Sequence, residues 1–206
     1  MPTQHTTVKR HPERGAYDRA TIDSILDEAL ICHLGFVVEG RPFVIPTIHA
    51  RVGDVLYLHG SPASRMLRTL RDGVDVCVTA TLLDGIVLAR SVYNHSMNYR
   101  SAVVLGHARE VTDAEEKLRA LEAVVEHMVP GRWSDARQPT QGELDGTTVL
   151  ALALDEASAK VRSGPSNDFD RDAELPVWAG VIPLRLTAGP AEADSEGVPL
   201  PPYLRD

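Results

Sequence analysis

Apolar and polar residues change period several times along this chain, and each change marks an element. Residues 1–20 are mostly polar, an N-terminal arm with no apolar face. From Thr21, a natural helix cap, Ile22, Ile25, Leu26 and Ala29 fall on one face of a short helix. The period then shortens. Ile31–Val38 is an apolar run that turns at Glu39-Gly40-Arg41-Pro42. Phe43–Arg51 alternates and is rich in β-branched residues, and Gly53-Asp54 turns the chain into Val55–His59. Runs this short, joined by turns this tight, predict antiparallel neighbours.

Ser61 predicts the cap of a basic helix that takes Pro62 in its first turn. Met66, Leu67 and Leu70 make its apolar face, and Arg65, Arg68 and Arg71 its charge. Val74–Leu82 and Ile86–Ser91 read as strands joined at Leu83-Asp84-Gly85, and Ser101–Val111 as another. Thr112-Asp113 opens the best helix, with Leu118, Leu121, Val124, Val125 and Met128 on one face and Pro130-Gly131 as its stop. Thr147–Leu154 is a late strand, and from Ala188 the chain reads as a loose tail. The sum is mainly β: six or seven antiparallel strands in a barrel with a few peripheral helices, and no βαβ alternation. The expected organisation is an arm over 1–20, a barrel domain over 21–187 and a flexible tail over 188–206.

Composition narrows the function classes. With 206 residues and 43% hydrophobic content the chain can bury a real core. A net charge of −8 argues against a general nucleic-acid binder. No apolar run is long enough to span a membrane, and the polar N-terminus does not read as a secretory signal. Cys32 and Cys77 sit in apolar runs without a CxxC partner, which fits reduced thiols in a cytoplasmic protein and no metal site. GxGxxG, P-loop, HExxH and GxSxG patterns are absent.

Three segments concentrate chemistry. At Leu58-His59-Gly60-Ser61-Pro62-Ala63-Ser64-Arg65 a strand gives way to a helix start bearing hydroxyls and an arginine, a plausible phosphate seat or else an ordinary capped basic helix. Ser91 to Ser101 holds two Tyr, two Asn, a His, an Arg and three Ser between apolar strands, which points to a polar ligand or a subunit contact. Lys160 and Arg162 precede Trp178, a stacking surface or an anchor for the C-terminal segment.

These residues resemble a known family. Leu56-Tyr57-Leu58-His59-Gly60, Ser64-Arg65, and His95-Ser96-Met97-Asn98-Tyr99-Arg100-Ser101 followed by Gly106 resemble the pyridoxamine 5′-phosphate oxidase-like proteins, closest to the nitroimidazole-resistance (Nim-type) branch. Ser158-Ala-Lys160-Val-Arg162 and Trp178-Ala-Gly180 extend the likeness to about Pro183. The resemblance implies a split β-barrel homodimer with FMN at the subunit interface; haem, the deazaflavin F420 and FAD are the alternative cofactors. It implies that Ile45, Pro46 and Thr47 run along the flavin ring, and that His59 and Gly60 lie near it. Ser64 and Arg65 would hold the phosphate, with Asn98, Tyr99, Arg100, Ser101 and Trp178 completing the cleft. Met66 stands where many members carry a phosphate-binding lysine, so Arg51 or Arg100 would have to supply that cation. The implied activity is electron transfer from a reduced nicotinamide or similar donor, through the flavin, to a small oxidised acceptor such as a nitroaromatic. His59 is then the residue for proton donation or substrate contact. The alternative is a non-catalytic flavin, haem or F420 binder, a carrier or sensor.

Overall fold

The computed structural model describes residues 2–71, 73–194 and 197–205. Its strands are β1 (Gly15–Ala16), β2 (Ile31–Val38), β3 (Arg41–Val52), β4 (Val55–Gly60), β5 (Asp75–Leu88), β6 (Ser96–His107), β7 (Arg109–Glu110), β8 (Thr148–Ala153), β9 (Glu156–Arg162) and β10 (Gly180–Pro183). They form one sheet in the order β1-β9-β6-β5-β2-β3-β4-β8-β7, with β10 on β5. Every pairing is antiparallel. The helices are α1 (Arg19–Glu28), α2 (Arg65–Arg71), α3 (Ala114–Met128), α4 (Arg132–Asp135) and α5 (Gln141–Asp145).

The mainly β, antiparallel split barrel is the expected class, and the structure has more strands than the apolar runs disclose. β9 lies in a segment of mixed polarity, β10 is only four residues long, and β1 and β7 are only two. Leu83-Asp84-Gly85 is not a turn: β5 runs through it as one strand of 14 residues, with a bulge between Leu83 and Gly85. A bulge bends a strand without ending it, and at Gly85 a Cβ would come within 3.1 Å of the Ile182 carbonyl oxygen of β10. β6 begins at Ser96, so most of the polar HSMNYRS stretch is strand and not loop. The α1 cap is Asp18, whose carboxylate accepts from the Thr21 N–H at 2.9 Å. α2 starts at Arg65, four residues after Ser61. Glu39 and Gly40 both take positive φ (50° and 74°), the two-residue hairpin that lets β2 pair directly with β3.

The main core fills the barrel. Leu34, Phe36, Leu56, Leu58, Val78, Val104, Leu150 and Leu152 meet Ile22, Ile25 and Leu26 of α1 and Leu67 and Leu70 of α2. Each such fully buried side chain contributes about 1.5–3 kcal/mol. A smaller cluster, Tyr57, Val111, Ala120, Val149 and Ala151, lies under α3. The apolar stripe of α3 is only partly core. Ala120 and Val124 are buried, whereas Leu121, Val125 and Met128 face an open cleft.

Candidate functional site

The ladder between β3 and β4 is short, and that creates the split. β3 uses one edge for β2 along Arg41–Ile48. Its other edge meets β4 only from His49↔Leu58 to Val52↔Val55. Past Leu58, β4 stays with β8 through His59↔Val149 and Gly60↔Thr148. Among the described residues no strand therefore covers the second edge of β3 from Phe43 to Ile48. Ile45, Pro46 and Thr47 lie on that edge, where backbone groups stay free for a flat ligand's hydrogen-bonding rim.

The far side of the split is the β4–α2 junction. The Ser64 N–H donates to the Ser61 carbonyl at 2.9 Å, and the Ser64 carbonyl accepts the first helical bond, from Arg68, at 3.0 Å. The space at Gly60 is tight: a Cβ there would sit 3.1 Å from Leu67 Cδ1, so the leucine tip would have to give by a few tenths of an ångström. Arg65 is exposed, with its guanidinium 5.3 Å from the centre of the Phe43 ring. No carboxylate within the described residues pairs with it. Met66, next in the chain, points the other way and is buried in the core.

Two other arginines considered for that phosphate are engaged elsewhere. Arg51 binds Asp27 at 2.6 Å and lies 3.5 Å from Asp23. Arg100 bridges Glu28 at 2.5 Å and Asp84 at 2.8 Å, tying β6 to the end of α1 and the β5 bulge. Hydrogen bonds from Arg100 hold the Glu28 carboxyl below the usual carboxylate range.

His59 lines a cleft of about 290 Å³ under α3 with Leu121, Val124, Val125, Met128 and Trp133, rimmed by the Arg137–Glu143 ion pair. Its Nδ1 is buried without a hydrogen-bond partner, and burial lowers its pKa. His49 is fully buried, hydrogen-bonds to the Leu26 carbonyl at 2.9 Å and leaves Nδ1 unpartnered. Its ring lies 5.2 Å from that of His127, which in turn bonds the Ala29 carbonyl at 3.0 Å.

The HSMNYRS strand forms a second centre. Asn98 is buried; its amide donates to the Gly164 carbonyl at 3.1 Å and its oxygen accepts from Arg162. Ser101 reaches the Lys160 carbonyl at 3.4 Å. Tyr99 lines a cleft of about 370 Å³ with Arg10, Arg14, Lys160 and Arg162. Arg10 and Arg14 were not singled out in the sequence; their only signal there is basic spacing in an arm that otherwise reads as solvated. Trp178 is exposed, and its ring covers Gly180, where a Cβ would approach it to 2.8 Å. Among the described residues no group of three His, Cys, Asp or Glu is arranged to hold a metal, and no helix is long and apolar enough to cross a membrane.

Residues 18–161 match the family profile of pyridoxamine 5′-phosphate oxidase. The chain is similar to the flavocytochrome Anf3 from Azotobacter vinelandii, with 41% identity, 98% of this chain and 96% of that one covered, and a TM-score of 0.92. It is similar to an FAD and haem binding protein from Mycobacterium smegmatis, with 37% identity, coverages of 93% and 96%, and a TM-score of 0.88. A proposed 5-nitroimidazole antibiotic resistance protein from Bacteroides thetaiotaomicron is 29% identical over 71% of this chain and 86% of its own, with a TM-score of 0.59. No match was found among curated proteins.

Proposed function

The chain belongs to the pyridoxamine 5′-phosphate oxidase family, and on that premise we propose that it is a flavin-dependent redox protein, active as a homodimer, that carries FAD and also haem. The observation that carries the flavin is the uncovered β3 edge at Ile45–Thr47, facing the Gly60–Arg65 junction and its unpaired arginine. FAD is preferred to FMN because both near-full-length neighbours contain haem or flavin chemistry and one is named for FAD and haem together. The bound flavin would accept a hydride from a reduced nicotinamide and pass electrons on. The chain's own residues would position it: β3 would offer backbone donors and acceptors, Ser64 and Arg65 would hold the phosphate nearest the ring, and Leu67 packs beneath Gly60.

A homodimer is supported by the outer face of the sheet. The register puts Ile31, Val37, Val44 and Leu83 on one side of β2, β3 and β5, all exposed. Exposed apolar side chains on one face of a sheet are the kind of surface that a second copy of the chain would cover. Pro46 lies on the same side, opposite His33, so the free β3 edge borders that face.

The haem reading rests on His59. Its imidazole is held neutral by burial and lines an apolar cleft with a buried nitrogen unsatisfied. Such a group is better suited to give a lone pair to iron than to donate a proton at neutral pH.

The test is reconstitution. The purified protein should take up FAD, with bands near ~375 and ~450 nm, and a Soret band should appear with haem. Reduced nicotinamide should bleach the flavin bands, and a nitroaromatic offered as acceptor should restore them. Arg65→Ala should weaken flavin binding by about 10- to 150-fold, the range for a charge-assisted contact. A protein that takes up neither FAD nor FMN ends the proposal.

A further inference from the structure

Four cations meet in the cleft beside the start of β6, in a protein whose net charge is −8. Arg10, Arg14, Lys160 and Arg162 line it, and no carboxylate among the described residues does. Arg162 is 6% exposed, yet its three hydrogen bonds all go to neutral oxygens: Asn98, Gly164 and Pro165. Burial is the main cause lowering its pKa, and Arg14's charge adds to it. Arg14 has only Glu13, at 3.7 Å, and Lys160 only the Arg10 carbonyl, at 3.2 Å. Concentrated, partly buried positive charge without counter-charge is unfavourable unless an anion completes it.

The rim adds a flat apolar platform. Tyr93 lines the cleft and is 82% exposed; its ring stacks on Phe169 at 6.1 Å and 22°. Exposed stacked aromatics beside a cationic cleft match a base attached to phosphates.

We infer that this cleft binds the adenosine diphosphate part of an adenine dinucleotide, with the diphosphate on Arg10, Arg14, Lys160 and Arg162 and the adenine against Tyr93. The inference rests on the proposed function, whose reduced nicotinamide donor carries this group.

The experiment compares wild type with the Arg10→Gln, Lys160→Gln double variant, whose side chains bear no core packing, and confirms equal melting temperatures. Apo-protein is titrated with ADP, FMN, FAD and NADH. The expected result is that wild type binds ADP and NADH, and that the variant loses at least ~10-fold in affinity for both with FMN and FAD affinities unchanged. ADP binding without any flavin uptake would leave the cleft assigned to the donor and refute the flavin reading alone. Flavin binding of equal strength in both proteins, with no ADP or NADH binding to either, overturns the inference and leaves the flavin reading standing.

Discussion

Arg100 lies inside the motif that best marks this family, yet the structure spends it on two carboxylates. Replacing it by alanine should therefore cost stability and leave flavin affinity unchanged. Its guanidinium forks onto Glu28 at 2.5 and 2.8 Å and reaches Asp84 at 2.8 Å. These side chains are partly exposed, so each pair contributes about 0.2–1 kcal/mol, with the forked one near the top of that range. Removing Arg100 also leaves Glu28 and Asp84 repelling each other. The total is about 1–2 kcal/mol, or roughly 2–8 °C in melting temperature for a chain of this size. The pH sign is determined by Glu28, whose carboxyl Arg100 holds below its ordinary value. A depressed carboxylate contributes stability above its unfolded pKa of about 4.3 and loses it as pH falls through the folded value. The difference between wild type and Arg100→Ala should thus narrow in melts below about pH 4, and also in high salt. Thermal melts over a pH series, paired with a flavin titration, make the assay. Equal melting temperatures at pH 7, or a loss of flavin affinity with stability unmoved, would refute the reasoning.

The same packing fixes three more outcomes. His49 is buried with its pKa lowered, so stability should be full above about pH 6.5 and decline as pH falls from there towards the lower folded pKa; His49→Phe should flatten that part of a melting-versus-pH series, and an unchanged slope would assign it to other groups. Gly180→Ala puts a Cβ against the Trp178 ring, so the indole must move; tryptophan emission should change with little loss of stability, and an identical spectrum would contradict the placement. Leu67→Ala removes a fully buried side chain beneath Gly60 and should cost about 2–5 kcal/mol in denaturant unfolding; a cost below ~1 kcal/mol would mean the core there collapses freely.

Much of this architecture was readable where local chemistry and burial agree. β2, β3 and β4 alternate or run apolar between tight turns, and Ile22, Ile25 and Leu26 repeat at helical spacing, so their periods show in the chain itself. β5 and β6 read less well for opposite reasons. Leu83-Asp84-Gly85 has the composition of a turn, but neighbouring strands on both sides hold it as a bulge. Asn98 and Arg100 look like loop residues because their partners, Gly164, Arg162, Glu28 and Asp84, are distant in sequence.

The sequence by itself determined the class of fold, the start of α3 at Asp113, and the family through His59 to Arg65 and His95 to Ser101. These are local patterns, and a local pattern needs no partner to be recognised. Only the tertiary structure decided which arginines are free. Arg51 and Arg100 are neutralised by α1 and the β5 bulge, Arg65 is left open at the split, and Arg10 and Arg14 come from the arm to join Lys160 and Arg162. Charge availability depends on what the chain brings within a few ångströms, and that is a property of packing across long sequence separations.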